Sequence, residues 1–384
     1  MRVYPLILVL LAALLTGCPP APQTTVTGPA APAASSTTPG PAPAPAARKP
    51  RNIIFLIGDG MGVTQISAGL YSNGNKLNLE RFPYVGLHKS YSGDNLVTDS
   101  AAGATAFSAG VKTYNGAIAV GMDTLPVRTI LEMAEERGMP TGLIATSSIV
   151  HATPASFIAH NRYRKNYEEI AADFLKTEVD LLVGGGLQYF NRREDGRQLI
   201  EELERRDYRV ENFIKTSADK IRPDAGRNYA YFTANGEPLP FAQGRDYLVP
   251  AVRMAPEFLR ERDTRKAGFF LMVEGSQIDW GGHSNQSDYI ISEMLEFDRA
   301  VGAALDFARA DKNTLVVVTA DHETGGYAIQ NGSAMGQIDG AFTSDYHTAD
   351  LIPVFAYGPG AEEFAGIYEN TAIFTKMRGL LGLR

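Results

Sequence analysis

The chain has 384 residues, of which 44% are hydrophobic and 21% are charged, a composition that is ordinary for a globular protein with a buried core. The first 48 residues contain two Arg and no acidic residue, so the remainder carries 34 Lys and Arg against 43 Asp and Glu, a net charge of −9. This acidic balance argues against nucleic acid as a specific partner, but it does not exclude an anionic small molecule, which metal ions can hold locally.

The N-terminus has the features of a bacterial targeting segment. Arg2 provides a positive start, and the apolar run from Pro5 to Leu15 is too short to span a bilayer comfortably. The run ends in Leu-Thr-Gly-Cys, which resembles the processing site of bacterial lipoproteins and predicts a signal peptide over residues 1–17 with lipidation at Cys18. An ordinary signal peptide with an incidental Cys is the alternative. Because Cys18 is the only cysteine, no internal disulfide is expected.

Residues 19–49 consist almost entirely of Pro, Ala, Thr, Ser and Gly, a composition that predicts an extended tether without a core. The lipidated Cys and the tether, residues 18–49, are expected to hold the protein at a bacterial membrane, in the cell envelope and facing the periplasm or the exterior. No internal repeat and no second linker follows, so residues 50–384 are predicted to form one domain.

From residue 50 onward, short apolar runs alternate with segments of helical period. The predicted strands are Asn52–Ile57, Thr141–Ala145, Asp180–Val183, Phe269–Val273, Thr314–Thr319 and Ile352–Tyr357. The predicted helices are Arg128–Arg137, Arg197–Arg205 and Ser287–Ala310. This alternation indicates an α/β fold with a doubly wound, mostly parallel central sheet flanked by helices. The Gly- and Pro-containing segment from about 206 to 250 is predicted to be an irregular insertion or surface excursion.

Ionisable side chains lie just after three of the predicted strands and just ahead of the last one. In chain order they are Asp59, Glu274, Asp279, His283, Asp321, His322 and His347. Because ligands bind at the carboxyl ends of the strands in an open parallel sheet, we expect these side chains to converge. A single Asp or His in such a position is more often a cap or a structural residue. The recurrence of both types instead favours a site for hard or borderline divalent cations.

The number and type of ligands that each metal ion needs divide these residues into three predicted sites. The two predicted zinc sites are Asp279, His283 and His347, and Asp59, Asp321 and His322. An oxygen-only site of Asp59, Glu274 and a hydroxyl would suit Mg²⁺. Two zinc ions a few ångströms apart can hold both the attacking and the leaving oxygen of an in-line displacement.

A candidate nucleophile lies in the segment Thr98-Asp-Ser-Ala-Ala, where the small residues after Ser100 indicate the start of a helix. The backbone N–H groups and the positive end of the helix dipole would face an anion there. The alternative is that Asp99 or Ser100 is only the N-cap of the helix. The predicted metal ions favour a nucleophile, because Zn²⁺ can hold a serine alkoxide near neutral pH.

Six motifs together resemble those of the alkaline phosphatase family. In chain order they are Asp59-Gly-Met-Gly, Thr98-Asp-Ser-Ala-Ala, Asp180-Leu-Leu-Val-Gly-Gly-Gly, Val273-Glu-Gly-Ser-Gln-Ile-Asp, Thr319-Ala-Asp-His and His347-Thr. The match to the family runs from residue 52 to about 360, nearly the whole of the predicted folded part, and six motifs in this order are highly specific. The resemblance implies an alkaline phosphatase catalytic domain that hydrolyses phosphate monoesters with two zinc ions, one magnesium ion and a phosphoserine intermediate.

The resemblance also implies roles for individual residues. Ser100 would be the nucleophile, and Asp59, Thr153 and Glu274 would be the magnesium ligands. The zinc held by Asp279, His283 and His347 would activate water and stabilise the leaving oxygen, whereas the zinc held by Asp59, Asp321 and His322 would activate Ser100. The phosphate-binding Arg of the family is implied at Arg164, with Arg162 as the alternative.

Two positions depart from the best-known bacterial member of the family, which has Asp at the position of His151 and Lys at the position of Trp280. Animal members also carry His at the first position, so the magnesium site is expected to be kept. Trp280 is predicted to be a substrate-binding residue whose lack of charge weakens phosphate binding and speeds product release. The alternative is that Trp280 only packs.

Three other functions are alternatives to the hydrolysis of monoesters. A phosphodiesterase or phosphonate hydrolase of the same superfamily tends to use Thr as nucleophile and to lack the third metal, so Ser100 and Glu274 argue against it. A formylglycine sulfatase is excluded, because Cys18-Pro-Pro-Ala-Pro lacks the Arg of that motif. A non-enzymatic envelope lipoprotein that binds metal or phosphate would not need both Ser100 and Arg164. The expected partners are small phosphate monoesters and, through the lipid, a membrane; a homodimer is left open.

Overall fold

The structure is a computed structural model that describes residues 49–217 and 220–384. The predicted signal peptide, the lipidation site Cys18 and all of the tether except Lys49 lie outside the described residues and stay predictions. Among the described helices, none combines the length and the apolar character needed to cross a bilayer.

The described residues contain fourteen β-strands. In chain order these are β1 Asn52–Gly58, β2 Tyr84–Lys89, β3 Thr141–Ser148, β4 Leu181–Gly185, β5 Tyr208–Asn212, β6 Asn228–Phe232, β7 Phe270–Gly275, β8 Thr314–Thr319, β9 Glu323–Thr324, β10 Ala328–Ile329, β11 Gly340–Ala341, β12 His347–Thr348, β13 Leu351–Tyr357 and β14 Gly366–Glu369. Ten of them form the central sheet, in the order β14–β2–β13–β8–β1–β7–β3–β4–β6–β5.

The seven strands from β8 to β5 in this order are all parallel, which confirms the predicted mostly parallel sheet. On the other side of β8, β13 is antiparallel to both of its neighbours. Every residue of the central strands β1, β7 and β8 is buried. Their continuous apolar runs suit this position, because both faces of a parallel sheet are covered by helices.

Eleven α-helices are found among the described residues. They are α1 Val63–Ser72, α2 Ser100–Ala109, α3 Ile130–Glu136, α4 Ala152–Ala155, α5 Tyr167–Asp173, α6 Gln188–Asn191, α7 Leu199–Arg205, α8 Leu248–Arg262, α9 Gln277–His283, α10 Ser287–Asp311 and α11 Thr371–Leu381. Short 3₁₀ helices are formed by Asn78–Arg81, Phe241–Gln243 and Ala361–Phe364. Alternate residues of β1 enter two separate cores, one lined by α2, α3 and α11 and the other by α8 and α10. Both faces of the sheet are therefore covered, as the doubly wound prediction requires.

The six predicted strands correspond to β1, β3, β4, β7, β8 and β13, and the three predicted helices correspond to α3, α7 and α10. The prediction of an irregular insertion over residues 206–250 is wrong for two segments. Tyr208–Asn212 and Asn228–Phe232 are strands β5 and β6 of the central sheet. All five residues of β6 are buried, and pairing with β4 and β5 supplies the hydrogen bonds of this short aromatic run. A strand of this length between Gly- and Pro-containing loops shows too little periodicity to stand out in the sequence.

Glu135 of α3 lies at the edge of the sheet where the strands begin, away from the residues predicted to bind metal. Thr141, the first residue of β3, donates a hydrogen bond from its hydroxyl to Glu135. Burial, together with the charge of the neighbouring Asp180, raises the pKa of the Glu135 carboxyl from 4.5 to about 9. At neutral pH the folded protein therefore keeps a proton that the unfolded chain releases.

This difference predicts that stability decreases as the pH rises from about 5 to 9. A folded-state pKa above the unfolded value contributes stability that is complete below the unfolded pKa and is lost as the pH rises through the folded pKa. We expect Glu135→Gln, which stays neutral, to gain stability relative to the wild type between pH 6 and pH 9, by up to about 4 kcal/mol at about 1.4 kcal/mol per pH unit. Urea unfolding at pH 6 and pH 9 measures this. The exposed neighbour provides the control Glu136→Gln, and equal pH dependence in both variants would contradict the assignment.

Candidate active site

The residues that follow β1, β7 and β8 come together at the carboxyl edge of the sheet. Ile57 of β1 pairs with Glu274 of β7 on one side and with Thr319 of β8 on the other. Asp59 and Asp321 each lie two residues beyond these paired positions, so the two carboxylates are neighbours. The strand register thus brings residues more than 200 positions apart into one site.

Asp279, His283 and His347 form the first group of ligand atoms, all within 4.8 Å of one another. Helix α9 places Asp279 and His283 four residues apart on one face, and β12 carries His347. The two His Nε2 atoms are 3.1 Å apart, and they lie 3.4 Å and 3.5 Å from Oδ1 of Asp279.

The hydrogen bonds of these two imidazoles show which ring nitrogen is free to bind a cation. Nδ1 of His347 lies 2.8 Å from the carbonyl oxygen of Thr98, and Nδ1 of His283 lies 2.6 Å from that of Asp345. Because a carbonyl oxygen only accepts, each Nδ1 carries a proton, and Nε2 is the nitrogen of each ring that can bind a cation. The two Nε2 atoms and the Asp279 carboxylate converge on one point, so this group fits a metal ion bound to the neutral imidazoles.

His322 is the centre of the second group. Its Nε2 lies 3.2 Å from Oδ2 of Asp321 and 3.6 Å from Oδ1 of Asp59. Asp59, His322 and Asp279 also have ligand atoms within 4.8 Å of one another, so Asp279 lies within reach of both groups. From the sequence, Asp279 was predicted as a ligand in the first group only. The hydroxyl oxygen of Ser100 is 3.4 Å from Nε2 of His322, which places the candidate nucleophile against this second group.

Several buried oxygens of the third predicted site have no hydrogen-bond partner within the described part of the chain. They are Oδ1 and Oδ2 of Asp59, Oγ1 of Thr153 and Oε1 of Glu274, and Oδ2 of Asp321 nearby shares this property. Helix α4, which carries Thr153, packs against β7. Since buried polar atoms are nearly always paired, and carboxylate and hydroxyl oxygens are ligands of Mg²⁺, this set fits a hard divalent cation.

The pKa values of the buried carboxylates point in the same direction. Burial, and then the negative charge of Asp321, raises the pKa of Asp59 well above its usual value. Burial likewise raises the pKa of Glu274 to about 7, although the hydroxyl of Ser147 donates to its Oε2 at 3.2 Å. Acids crowded in this way are stabilised in their charged form by cations, as in a metal site.

Ser100 is the first residue of α2, and Asp99 is its N-cap, with a side chain that accepts a hydrogen bond from the backbone N–H of Ala102 at 3.0 Å. The other carboxylate oxygen of Asp99 pairs with the Arg164 guanidinium at 2.9 Å. Burial opposes the charge of Arg164, but Asp99 and the other acids raise its pKa, so the guanidinium stays charged. From the sequence, Asp99 was expected at most to cap the helix, and its ion pair with Arg164 was not predicted. The alternative phosphate ligand, Arg162, is exposed.

Trp280 follows Asp279 on α9 and is half-buried. Its ring packs edge-to-face on the ring of His151, with centroids 6.0 Å apart. Burial, and then the charge of Arg164, lowers the pKa of His151 to about 3, so this imidazole is neutral. The contact corresponds to the packing alternative for Trp280, whereas its effect on phosphate binding stays a prediction.

Thr324 is a further residue that sequence analysis did not identify. Its hydroxyl donates to Oδ1 of Asp279 at 2.5 Å and lies 3.2 Å from Nδ1 of His322. A single buried hydroxyl therefore contacts one residue from each group of ligands. The only sequence signal was its position two residues after His322, and Thr is too common beside strand ends for this to indicate a role.

Residues 50–339 match the profile of the family described as "Alkaline phosphatase". The chain belongs to the alkaline phosphatase family. Alkaline phosphatase 3 of Bacillus subtilis (strain 168) is 37% identical over 409 aligned residues, which cover 84% of this chain and 87% of that protein. The structure of alkaline phosphatase from the Antarctic bacterium TAB5 is 43% identical, with a TM-score of 0.83 and coverage of 88% of this chain and 100% of that one.

A second TAB5 structure, of a His-to-Asp mutant with Mg bound in its M3 site, has the same 43% identity, a TM-score of 0.82 and coverage of 88% and 99%. These similarities confirm the family that the six motifs indicated. As a member of the alkaline phosphatase family, the chain is a hydrolase of phosphate monoesters that depends on metal ions, and it carries residue groups suited to hold them.

Proposed function

We propose that this chain hydrolyses phosphate monoesters to an alcohol and phosphate through a phosphoserine at Ser100, with two zinc ions and one magnesium ion. The observation that carries the proposal is the position of the Ser100 hydroxyl, 3.4 Å from the His322 ring nitrogen that faces Asp59 and Asp321. A serine there is next to a cation site and at the N-terminus of a helix, where an anion is favoured.

The ligand sets follow the three groups of side chains. Asp279, His283 and His347 would hold one zinc ion, and Asp59, Asp321 and His322 would hold the other. Asp59, Thr153 and Glu274 would hold magnesium through oxygen atoms alone. When bound, these ions would lower the pKa of the serine hydroxyl and of the hydrolytic water and stabilise developing negative charge.

The protein's own groups bind and orient the phosphoryl group. At the start of α2, the backbone N–H groups that Asp99 does not accept are available to an anion beside Ser100. The Arg164 guanidinium, held by Asp99, can donate to two phosphoryl oxygens at once. Oγ of Ser100 forms the new bond to phosphorus as the bond to the alcohol oxygen breaks. Water then breaks the Ser100–phosphorus bond, which releases phosphate and restores the hydroxyl.

Steady-state assays with a monoester, a diester and a sulfate ester, together with metal analysis of the same sample, test this function. We expect strong preference for the monoester, with two zinc ions and one magnesium ion per chain. A preference for the diester would favour the phosphodiesterase alternative, which the hydroxyl of Ser100 and the carboxylate of Glu274 argue against. Binding of metal or phosphate without turnover would favour the non-enzymatic lipoprotein.

We further propose that Cys18 is lipidated and anchors the enzyme to a bacterial membrane, facing the periplasm or the exterior. The motif Leu-Thr-Gly-Cys and the Pro- and Ala-rich tether support this location. Cys18→Ser is expected to move the protein from the membrane fraction to the soluble fraction, because the predicted anchor is then lost. A variant that stays membrane-bound with its signal peptide removed would contradict the anchor. Sedimentation of the released protein would also distinguish a monomer from a homodimer.

A further inference from the structure

Glu323 directly follows His322 and is 3% exposed. Its carboxylate accepts four hydrogen bonds, two at each oxygen. The donors are the amide of Gln65 at 2.6 Å, the backbone N–H of Tyr327 at 3.0 Å, the backbone N–H of Gly326 at 3.1 Å and the hydroxyl of Thr348 at 2.6 Å. All four donors are neutral groups, so both carboxylate oxygens are satisfied without a cationic partner.

The donors belong to the chain segments that carry the proposed zinc ligands. Gln65 lies on α1, which starts just after the loop that contains Asp59. The backbone of this loop approaches closely, since a Cβ on Gly62 would fall 2.4 Å from Cγ of Glu323. Thr348 is next to His347 and pairs with Glu323 between β12 and β9. One side chain thus joins the Asp59 segment, the His322 segment and the His347 segment.

Only a carboxylate suits this set of donors. An ionised carboxylate accepts at about four positions, whereas an amide offers one accepting oxygen and one donating nitrogen. With Gln at position 323, the amide nitrogen would face either the amide of Gln65 and the N–H of Tyr327, or the N–H of Gly326 and the hydroxyl of Thr348. The Thr348 hydroxyl could rotate to accept, but in either orientation the amide nitrogen would oppose a backbone N–H, of Tyr327 or of Gly326, that can only donate. The segments would then separate or shift.

We propose that Glu323 is a positioning residue for the metal site, which holds His322, His347 and the Asp59 loop in binding geometry before any ion is bound. This inference rests on the proposed function, because it takes these residues as zinc ligands. Outer-shell groups that orient metal ligands typically change metal affinity by about 10–100-fold when they are removed. We expect an effect of this size on zinc, separate from any effect on folding.

The test measures zinc per chain against free zinc set by a chelator buffer, for the full-length wild-type protein and for Glu323→Gln. Tm is recorded in zinc and in excess chelator. The matched control is Asp298→Asn. Asp298 is also a 3% exposed carboxylate that accepts from neutral donors, the backbone N–H groups of Asn78 and Leu79 and the Asn78 amide. It belongs to α10 and joins no ligand segment.

We expect Glu323→Gln to raise the zinc dissociation constant about 10–100-fold and to reduce the increase in Tm that zinc produces. Asp298→Asn should lower Tm in zinc and in chelator alike and leave zinc affinity within about threefold. Unchanged zinc affinity in Glu323→Gln, or an equal loss in both variants, would overturn the inference.

If Glu323→Gln does not fold, the variant Thr348→Val tests the positioning role instead, because it removes only the hydrogen-bond donor next to His347. Weaker zinc binding in this variant supports the positioning role, and unchanged binding overturns it. The zinc titration of the wild-type protein distinguishes failure of the proposed function from failure of the role of Glu323. A wild-type protein that binds no zinc refutes the proposed function itself, whereas normal wild-type binding with unaffected variants refutes only the role of Glu323.

Discussion

Replacing Ser100 with alanine is expected to lower kcat for phosphate monoesters by about 10³-fold or more, because the attacking oxygen is lost and the remaining groups only bind and orient. The fold should persist, since alanine is the best helix former and the substitution removes one oxygen from the first residue of α2. Metal content should also persist, because the proposed ligands are intact. The measurements are kcat, metal per chain and trapping of labelled phosphoenzyme by acid quench.

The matched control for this variant is Ser108→Ala. Ser108 is a buried serine on the same helix whose hydroxyl donates to the carbonyl oxygen of Thr105, one turn earlier. Its loss should leave kcat within about threefold and leave the phosphoenzyme signal intact. A loss of less than tenfold in Ser100→Ala, about 1.4 kcal/mol of barrier, would refute the covalent mechanism.

Arg164→Ala is expected to lower kcat/KM for monoesters by about 10²–10³-fold, the usual cost of removing a donor that stabilises transition-state charge. The guanidinium is positioned for this by its 2.9 Å ion pair with Asp99, which also caps the helix that begins at Ser100. Inorganic phosphate should inhibit this variant more weakly than the wild type, because phosphate occupies the same donors.

Arg162→Ala is the matched control for Arg164, since it removes a nearby Arg that is exposed. Its kcat/KM should stay within about threefold of the wild type. The comparison also decides between the two arginines that the sequence left open. A larger loss in Arg162→Ala than in Arg164→Ala would reverse the assignment of the phosphate ligand.

The central strands could be predicted from the sequence because their environment leaves a local signal. β1, β7 and β8 are buried on both faces, so each appears as a continuous apolar run. Ligands collect where parallel strands end, so the Asp and His residues just after these runs were sensible candidates. The order of the motifs then indicated the family, which the comparisons confirm.

Two features of the structure have no such local signal in the sequence: the short strands β5 and β6, and the position of Asp279 between the two groups of ligands. β5 and β6 have five residues each, and their strand character depends on pairing with one another and with β4. Asp279 was assigned to one group of ligands, although the structure places it within reach of both. The residue types show which side chains can bind a metal ion. Their spacing along the chain does not give the distances between atoms on different strands.

The sequence by itself therefore determined the type of fold, the family and the set of side chains available for chemistry. These features can be predicted because residue type and hydrophobic pattern are local properties of the chain. Only the tertiary structure decided which of those side chains meet. The pair of Asp99 with Arg164 joins positions 65 residues apart, and the bond between Gln65 and Glu323 joins positions 258 residues apart. Such contacts depend on the order and register of strands and loops that pack together from distant parts of the chain, and no local pattern encodes that arrangement.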